Sequence, residues 1–405
     1  TFVRTSSDKV AYNFGQKPFS FSPPEGYQAL NTANTRPVNV ISRPDQYVGI
    51  TTWTGDSTDG RQINTGFRPD LVWTKRRDSA LDHILFDSVR GKTKEIYPNQ
   101  NYGEGTTSNK FGGFNDFGFT IKNNSAINQT GEWVAWCWKA GGNKNTFNVD
   151  DVGYASAAAA GLDGGSLTVT GASVGTKQGF SIIAYNGDNG PSGTVSHGLN
   201  QKPTFFTVKR LGADGNDWGV YHSALGATKN IDLNNTGGNS TTDGTWNDTE
   251  PTSSVFTVGT FNMVNVDTHI AYLWHDVPGL QKFGSFTGNN SADGTFVELG
   301  FRPALLWVRG IGSSRNWLID DTERNKFNGR VNTSTFATNY STLAINSDAF
   351  EPQSSAGTFE GNYIDQLSNG FKLRSTGANS NASETYIYCA WAEAPSIDLY
   401  GGGAN

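Results

Sequence analysis

Charged residues, methionine and long apolar runs are all scarce in this sequence, and the first and last of these scarcities each exclude a class of protein. Asp, Glu, Lys and Arg make up only 17% of the 405 residues, the formal net charge is −6, and Met occurs once. Nucleic-acid binding and attachment to anionic membranes both need clustered Lys and Arg, so neither is expected. No apolar run approaches the roughly 20 residues of a membrane-spanning helix, so membrane insertion is not expected either.

The first residues of the sequence bear on whether the chain was processed. The first residue is Thr1 rather than Met, and no signal peptide follows it. We therefore expect either a processed N-terminus or a longer chain of which the beginning is missing.

Turn and strand residues dominate what is present. The chain has 49 Gly, 25 Phe, 14 Tyr and 11 Trp. Such a composition is poor in helix formers and rich in residues that favour strands and turns. It predicts an all-β protein of the kind found in exposed, extracellular locations.

One stretch recurs along the chain. Gly66-Phe67-Arg68-Pro69 introduces a strand-like run that ends in Lys75-Arg76, and residues 300–309 repeat this arrangement closely. A looser copy occupies residues 198–210. Proline presets its own φ and lacks an N–H, which suits the start of a strand. A unit used three times indicates an array of repeats.

The other strand-like segments recur in the same order, which predicts three tandem β-sandwich or jelly-roll-like repeats. Each spans about 100 residues, which is too long for a solenoid rung or a propeller blade and suits one sandwich. We expect the three in series rather than in a closed ring. The predicted boundaries are a linker over 35–45, repeats over 46–141, 178–278 and 279–395, a connector with one strand over 142–177, and a tail over 396–405.

The two cysteines are not expected to form a disulfide. Cys137 and Cys389 both lie in the last strand of a repeat, but one register position apart. Successive side chains of a strand point to opposite faces. The pattern therefore predicts two small buried apolar residues rather than a bridge.

Residues 1–34 differ from the rest. Tyr12 to Phe19 and Pro23 to Asn34 form short aromatic runs separated by Pro and Gly turns. This sequence pattern resembles the closing segment of the SPRY-like sandwich of phage and metagenomic fibre proteins. The resemblance implies that 1–34 is the C-terminal part of such a sandwich.

Residues 46–395 also resemble a known kind of domain. The resemblance rests on three segments: Phe86 to Gly91, Ala135 to Gly142, and Trp246 to Ser254. The order of the strand-like segments is similar to that of an uncharacterised repeat domain of marine and environmental tailed-phage structural proteins, which often follows a SPRY-like module. The resemblance implies a virion appendage, most plausibly a tail fibre. That family has no established catalytic residues, so none is transferred.

These observations lead us to expect a non-enzymatic virion protein, located on the virion surface or extracellularly, that contacts a host-surface glycan. Its partners would be other virion proteins and further copies of itself. A trimer is expected, because fibre proteins commonly form trimers. The alternatives are a capsid-decorating or other purely structural virion protein and an extracellular adhesin or filament subunit. A polysaccharide depolymerase is less favoured, because no pair of carboxylates stands out.

No catalytic motif is found, so the candidate site residues are few. The five histidines are scattered, and at two of their positions another repeat has an aromatic residue, which favours structural roles. Trp53 and Trp246 lie outside the repeated tryptophan positions. We therefore predict Trp53 and Trp246 as glycan contacts, with burial under a loop as the alternative.

Two further features have a functional and a structural interpretation. Asp87, His222 and Asp321 share one repeat position, where they could orient a ligand or cap a turn. Loops such as 56–60 and 289–294 are rich in Asn, Asp and Gly, which suits calcium or an ordinary hairpin turn. The sequence has no twelve-residue calcium loop, so the turn is favoured and neither a metal site nor another cofactor is predicted.

Overall fold

The computed structural model describes residues 2–4, 10–12, 40–212, 214–238, 244–260, 263–312, 314–326, 342–351 and 363–395. The chain divides into two compact units, Thr1–Val40 and Ile41–Asn405. In the first unit, strands β1 (Phe2–Arg4) and β2 (Val10–Tyr12) pair antiparallel. The rest of the predicted SPRY-like segment, the start of the linker and the tail lie outside the described residues.

The second unit is all-β, as the composition predicted. Its described residues contain strands and one short 3₁₀ turn, Pro44–Gln46, with no helix long and apolar enough to cross a membrane. The strands form sandwiches, each with a larger and a smaller sheet.

The first sandwich has a larger sheet of four strands and a smaller one of three. Its strands are β3 (Val48–Gly55), β4 (Arg61–Asn64), β5 (Leu71–Arg76), β6 (Ile84–Asp87), β7 (Lys94–Glu95), β8 (Gly105–Thr106), β9 (Phe111–Asn115), β10 (Gly118–Ile121) and β11 (Gly131–Trp138). The larger sheet has the order β3-β11-β5-β6, the smaller sheet β4-β10-β9, and β7 pairs with β8.

The second sandwich has a larger sheet of eight strands. Its strands are β12 (Phe147–Val149), β13 (Val152–Tyr154), β14 (Thr168–Gly175), β15 (Phe180–Asn186), β16 (Ser192–Ser196), β17 (Phe205–Arg210), β18 (Gly219–His222), β19 (Ile231–Asp232), β20 (Val255–Gly259) and β21 (Thr268–Trp274). The orders are β13-β12-β14-β15-β21-β17-β18-β19 and β16-β20. The connector contributes β12, β13 and β14, so the prediction of one strand there was too low.

The third sandwich returns to the plan of the first. Its strands are β22 (Gln281–Thr287), β23 (Phe296–Glu298), β24 (Pro303–Gly310), β25 (Leu318–Asp321), β26 (Leu343–Ala344), β27 (Ile364–Leu367), β28 (Gly370–Leu373) and β29 (Thr385–Ala392). The larger sheet has the order β22-β29-β24-β25-β26 and the smaller one β23-β28-β27.

The recurring stretch forms the same central strand in all three larger sheets. In each larger sheet, the central strand lies between the last strand of the sandwich and the strand that comes directly after the central strand in sequence. The registers agree: Leu71 pairs with Trp138, Phe205 with Trp274, and Leu305 with Trp391. The interchangeable strand positions inferred from the sequence are therefore equivalent in space.

The larger sheets are apolar on both faces. In β11, Trp136 and Trp138 belong to one core cluster, whereas Ala135 and Cys137 belong to another, which includes residues of the smaller sheet. A strand buried on both sides reads as an almost continuous apolar run. Cys137 and Cys389 are both buried, free, and in different clusters, as their register predicted.

The inner faces of the three larger sheets meet in one shared core. Trp138, Trp274 and Trp391 contact one another pairwise, with ring centroids 5.5–6.1 Å apart and steep interplanar angles. The expectation of sandwiches in series is therefore wrong. Each larger sheet carries large aromatic residues on the face turned away from its own smaller sheet, and in the described part of the chain the other two sandwiches cover most of that face. Burial of this surface favours a closed ring.

Three seams, named by the sandwiches that they join, close the ring in a cyclic manner. In each, an equivalent side chain at the start of β6, β18 or β25 bonds to a main-chain oxygen of the neighbouring sandwich. The bonds are His83 Nε2 to Ala344 (3.1 Å, first–third seam), Trp218 Nε1 to Tyr97 (3.1 Å, first–second seam) and Trp317 Nε1 to Asp232 (2.9 Å, second–third seam).

Candidate functional site

The two tryptophans predicted as glycan contacts are core residues. Trp53 is 7% exposed and stacks on its cross-strand partner Trp133, with ring centroids 6.2 Å apart. Trp246 is 1% exposed and packs edge-on against Phe206 at 4.9 Å. Neither ring has a face on which a sugar could stack, so the alternative of burial describes both.

The loops considered for calcium are closed by their own hydrogen bonds. Asn128 donates to Asp56 Oδ1 at 3.2 Å and to the Thr58 oxygen at 2.9 Å. Asn381 holds the 289–294 loop in the same way, through Asn289 and Ser291. Within the described parts of the chain, no group of three or more His, Cys, Asp or Glu could hold a metal ion.

The histidines and the shared polar position are also internal. All five histidines are buried. Asp87 Oδ1 accepts the N–H groups of Val89 and Arg90, and His222 Nδ1 accepts the N–H of Ala224. Asp87 and His222 therefore cap turns, which is the structural interpretation of the pattern, and both also contact the neighbouring sandwich.

A surface cleft in the first sandwich has the features that Trp53 and Trp246 lack. It encloses about 470 Å³ and is lined by Gln62, Asn64, Asn115, Asp116 and Phe117. Phe117 is 68% exposed, in contrast to Phe119 two residues later, which is fully buried. The cleft therefore combines an exposed aromatic ring with amide and carboxylate groups.

The hairpin between β9 and β10 positions Phe117. Its two-residue turn is Asp116-Phe117, and Asn115 Oδ1 accepts the Phe117 N–H at 3.2 Å. The Phe117 oxygen accepts N–H bonds from Thr65 and Gly66, which attach the turn to the loop after β4. Asn tolerates and stabilises such turns through its side chain, so the aromatic ring is held outward on a fixed backbone.

Two amides beside the ring fix each other. Gln62 Nε2 donates to Asn115 Oδ1 at 3.0 Å, and Asn115 Nδ2 donates to Gln62 Oε1 at 2.8 Å. Both amides also bond to the Thr120 hydroxyl, and Gln62 Nε2 donates to the Ile63 oxygen, so their donors and acceptors are used within the protein. The exposed ring can stack on the apolar face of a sugar, and the Asp116 carboxylate of the lining can accept hydrogen bonds from its hydroxyls. Asp116 is the single carboxylate of this lining, so the cleft lacks the carboxylate pair of a glycosidase.

Phe117 was not among the predicted contacts, because phenylalanine is the commonest aromatic residue of the chain and its type alone does not indicate exposure. The sequence does carry a signal, since Asn115-Asp116-Phe117-Gly118 places an aromatic residue inside a turn of small and polar residues. Turns lie on the surface.

Fold and cleft together define a class: an all-β protein in which three sandwiches close around one aromatic core and which offers a polar–aromatic surface cleft. The chain belongs to the DUF7483 family, a domain of unknown function, whose model matches residues 43–395. No curated protein and no solved structure matches the chain. The matched range contains all three sandwiches, in agreement with a single compact unit from Ile41 onward.

Proposed function

We propose that the protein is a non-enzymatic part of a phage virion, a segment of a tail fibre that contacts glycan on the host surface. The observation that supports this proposal best is the cleft around Phe117, where an exposed ring on a hairpin lies beside the Asp116 carboxylate and is held in place by the mutually bonded amides of Asn115 and Gln62. The resemblance of residues 46–395 to domains of tailed-phage structural proteins supports the virion part of the proposal.

The mechanism would be geometric rather than chemical. Strands and shared core hold the hairpin in place, and the exposed turn carries recognition. A single shallow cleft gives weak binding. Several copies, in a trimer or along a fibre with other virion proteins, turn weak contacts into avidity of 10²–10⁴-fold.

Location is the first test. Gold-labelled antibody against residues 178–395 would be imaged by electron microscopy on the particles or cells that produce this chain. Label at distal tail appendages is the expected result. Label over a head or along a sheath would replace the attachment proposal with the purely structural role, and label on cells alone would favour an adhesin or filament subunit.

A further inference from the structure

One position in the fold makes chemically different contacts in the three seams. It is the last residue of β6, β18 and β25. Asp87 accepts the Tyr272 hydroxyl of the neighbouring sandwich at 2.6 Å, and Asp321 accepts the Trp136 indole N–H at 2.9 Å. The third residue, His222, bonds through Nε2 to the Tyr388 main-chain oxygen at 3.2 Å.

The two carboxylates are supported by a buried arginine three residues later. Arg90 Nε donates to Asp87 Oδ2 at 2.6 Å, and Arg324 Nε donates to Asp321 Oδ2. At the matching place after His222 stands Leu225. The first–second and first–third seams thus have a paired charge at this position, whereas the second–third seam depends here on a neutral imidazole.

His222 is held in its neutral form by both ring nitrogens. Nδ1 accepts the Ala224 N–H at 3.1 Å, so it carries no proton, and Nε2–H donates to Tyr388. The ring is 0% exposed and lies against Phe205. A proton on Nδ1 would break the bond from Ala224 and place a charge in an apolar environment. Burial accordingly lowers the pKa of His222 to about 4.

The groups around His222 do not offset such a charge. On β29 these are Tyr388, with a pKa raised to about 12 by burial, and Cys389, with Asp276 beyond them. On β18 itself, Tyr221 donates to Glu250 and belongs to the core between the two sheets of the second sandwich, on the other side from the shared core. On β17, Lys209 is bonded to main-chain oxygens of Asn216 and Asn101. Across the same seam, Arg309 of β24 and Asp232 of β19 attract each other.

We propose that the second–third seam is an acid-sensitive opening point of the ring, with His222 as its latch. When the seam opens, His222 reaches water and takes up a proton. The open state therefore gains stability below pH 6.5, the ordinary pKa of histidine. Because the closed state holds His222 neutral, its advantage is complete above that pH and is lost as the pH falls.

The other two seams differ from this one in separate ways. The first–second seam has no histidine among its described contacts. The first–third seam contains the buried His83 and should also open more readily in acid, but Arg77 forms a two-point ion pair with Glu351 across it, at 2.8 and 3.0 Å, which makes its opening costlier at every pH in this range. Opening is therefore expected at the second–third seam first.

Hydrogen exchange of the whole chain at pH 7.5 and pH 5.0, corrected for intrinsic rates, tests the proposal. Amides of 219–233 and 314–322 should lose about 30-fold in protection, because opening increases tenfold per pH unit below 6.5. Amides of 100–104, which bond across the first–second seam, should change less than threefold. Equal losses at all three seams would overturn the proposal.

Two variants separate the latch from general acid effects. His222→Gln keeps a donor and an acceptor but does not titrate, so the acid-dependent loss at 219–233 should disappear. The double change His222→Asp with Leu225→Arg copies the carboxylate–arginine pair of the other seams but loses the bond to the Tyr388 oxygen, so the second–third seam should open more readily at both pH values while its acid-dependent loss disappears. If either variant folds and still loses protection about 30-fold, His222 is not the latch. If neither folds, the wild-type pattern across the three seams decides alone.

Discussion

At the scale of single residues, the cation that ends each recurring stretch joins neighbouring sandwiches. Lys75, Lys209 and Arg309 are buried. They donate to main-chain oxygens across the seams: Lys75 to Asp348 (3.1 Å), Lys209 to Asn101 (3.2 Å), and Arg309 to Gly237. Burial lowers the pKa of Lys75 and of Lys209 to about 8. A sequence motif that ends in a cation therefore marks a buried contact rather than a charged surface.

These two lysines predict that stability increases in mild alkali. Between pH 8 and 10.5 the unfolded lysines keep their protons while the folded ones lose them, so the free energy of unfolding rises with pH. The slope should be positive from pH 7.5 to 8.5 and at most about 1.4 kcal/mol per pH unit for each lysine. Above about pH 9 the trend should reverse, since burial raises the pKa of Cys137, Cys389, Tyr185 and Tyr272, so that the unfolded chain loses these protons before the folded one. Urea unfolding across this range is the measurement.

A variant with both lysines changed to methionine is the control. It should show a flat or falling profile from pH 7.5 to 8.5, because the buried cysteines remain. A wild-type profile that already falls in this interval would show that the lysines are not the dominant titrating groups.

At the scale of elements, two smaller sheets expose a phenylalanine in different surroundings. Phe117 stands on the β9–β10 hairpin beside Gln62 and Asn115. Phe296, 42% exposed, is on β23 and pairs across the sheet with Lys372, which forms an ion pair with Asp293. The same architecture thus gives one ring beside two amides and a carboxylate, and one ring beside an ion pair.

This difference supplies a matched pair of variants for glycan binding. Phe117→Ala should weaken binding to neutral hexose oligosaccharides and host surface polysaccharides at least tenfold, because stacking is lost. Phe296→Ala should stay within twofold of wild type. Binding would be measured on an oligosaccharide array and by calorimetry with any sugar that binds. Both variants should keep the wild-type unfolding midpoint within the range of surface substitutions.

If Phe117→Ala binds as tightly as wild type, the cleft is not the glycan site. If only Phe296→Ala loses binding, the third sandwich carries it. Release of reducing ends from the same polysaccharides would contradict the non-enzymatic role.

At the scale of the whole molecule, the shared core makes the three sandwiches interdependent. Trp391 of the third sandwich contacts Trp138 of the first and Trp274 of the second. Independent domains in series would each have a complete core, but here each larger sheet has only one face covered by its own sandwich. The ring should therefore behave as one cooperative unit.

Trp391→Ala tests this cooperativity. Removing a buried Trp typically costs 3–5 kcal/mol, and the unfolding midpoints of all three sandwiches should fall together. Hydrogen exchange in increasing urea at pH 7.5, read on peptides of β11, β21 and β29, measures each sandwich separately. Phe117→Ala serves as the surface control. A lower midpoint confined to β29 would show that the sandwiches unfold independently.

The sequence by itself determined the local level: an all-β chain, the strand that follows Pro69 and its copies, and the opposite faces of Cys137 and Cys389. These depend on residue types and the two-residue period of strands, which are readable along the chain. Only the tertiary structure decided that the sandwiches close into a ring, that Trp53 and Trp246 are interior, and that Phe117 is exposed. The reason is physical: a buried face and a binding face have the same composition in sequence, and only the covering neighbour distinguishes them.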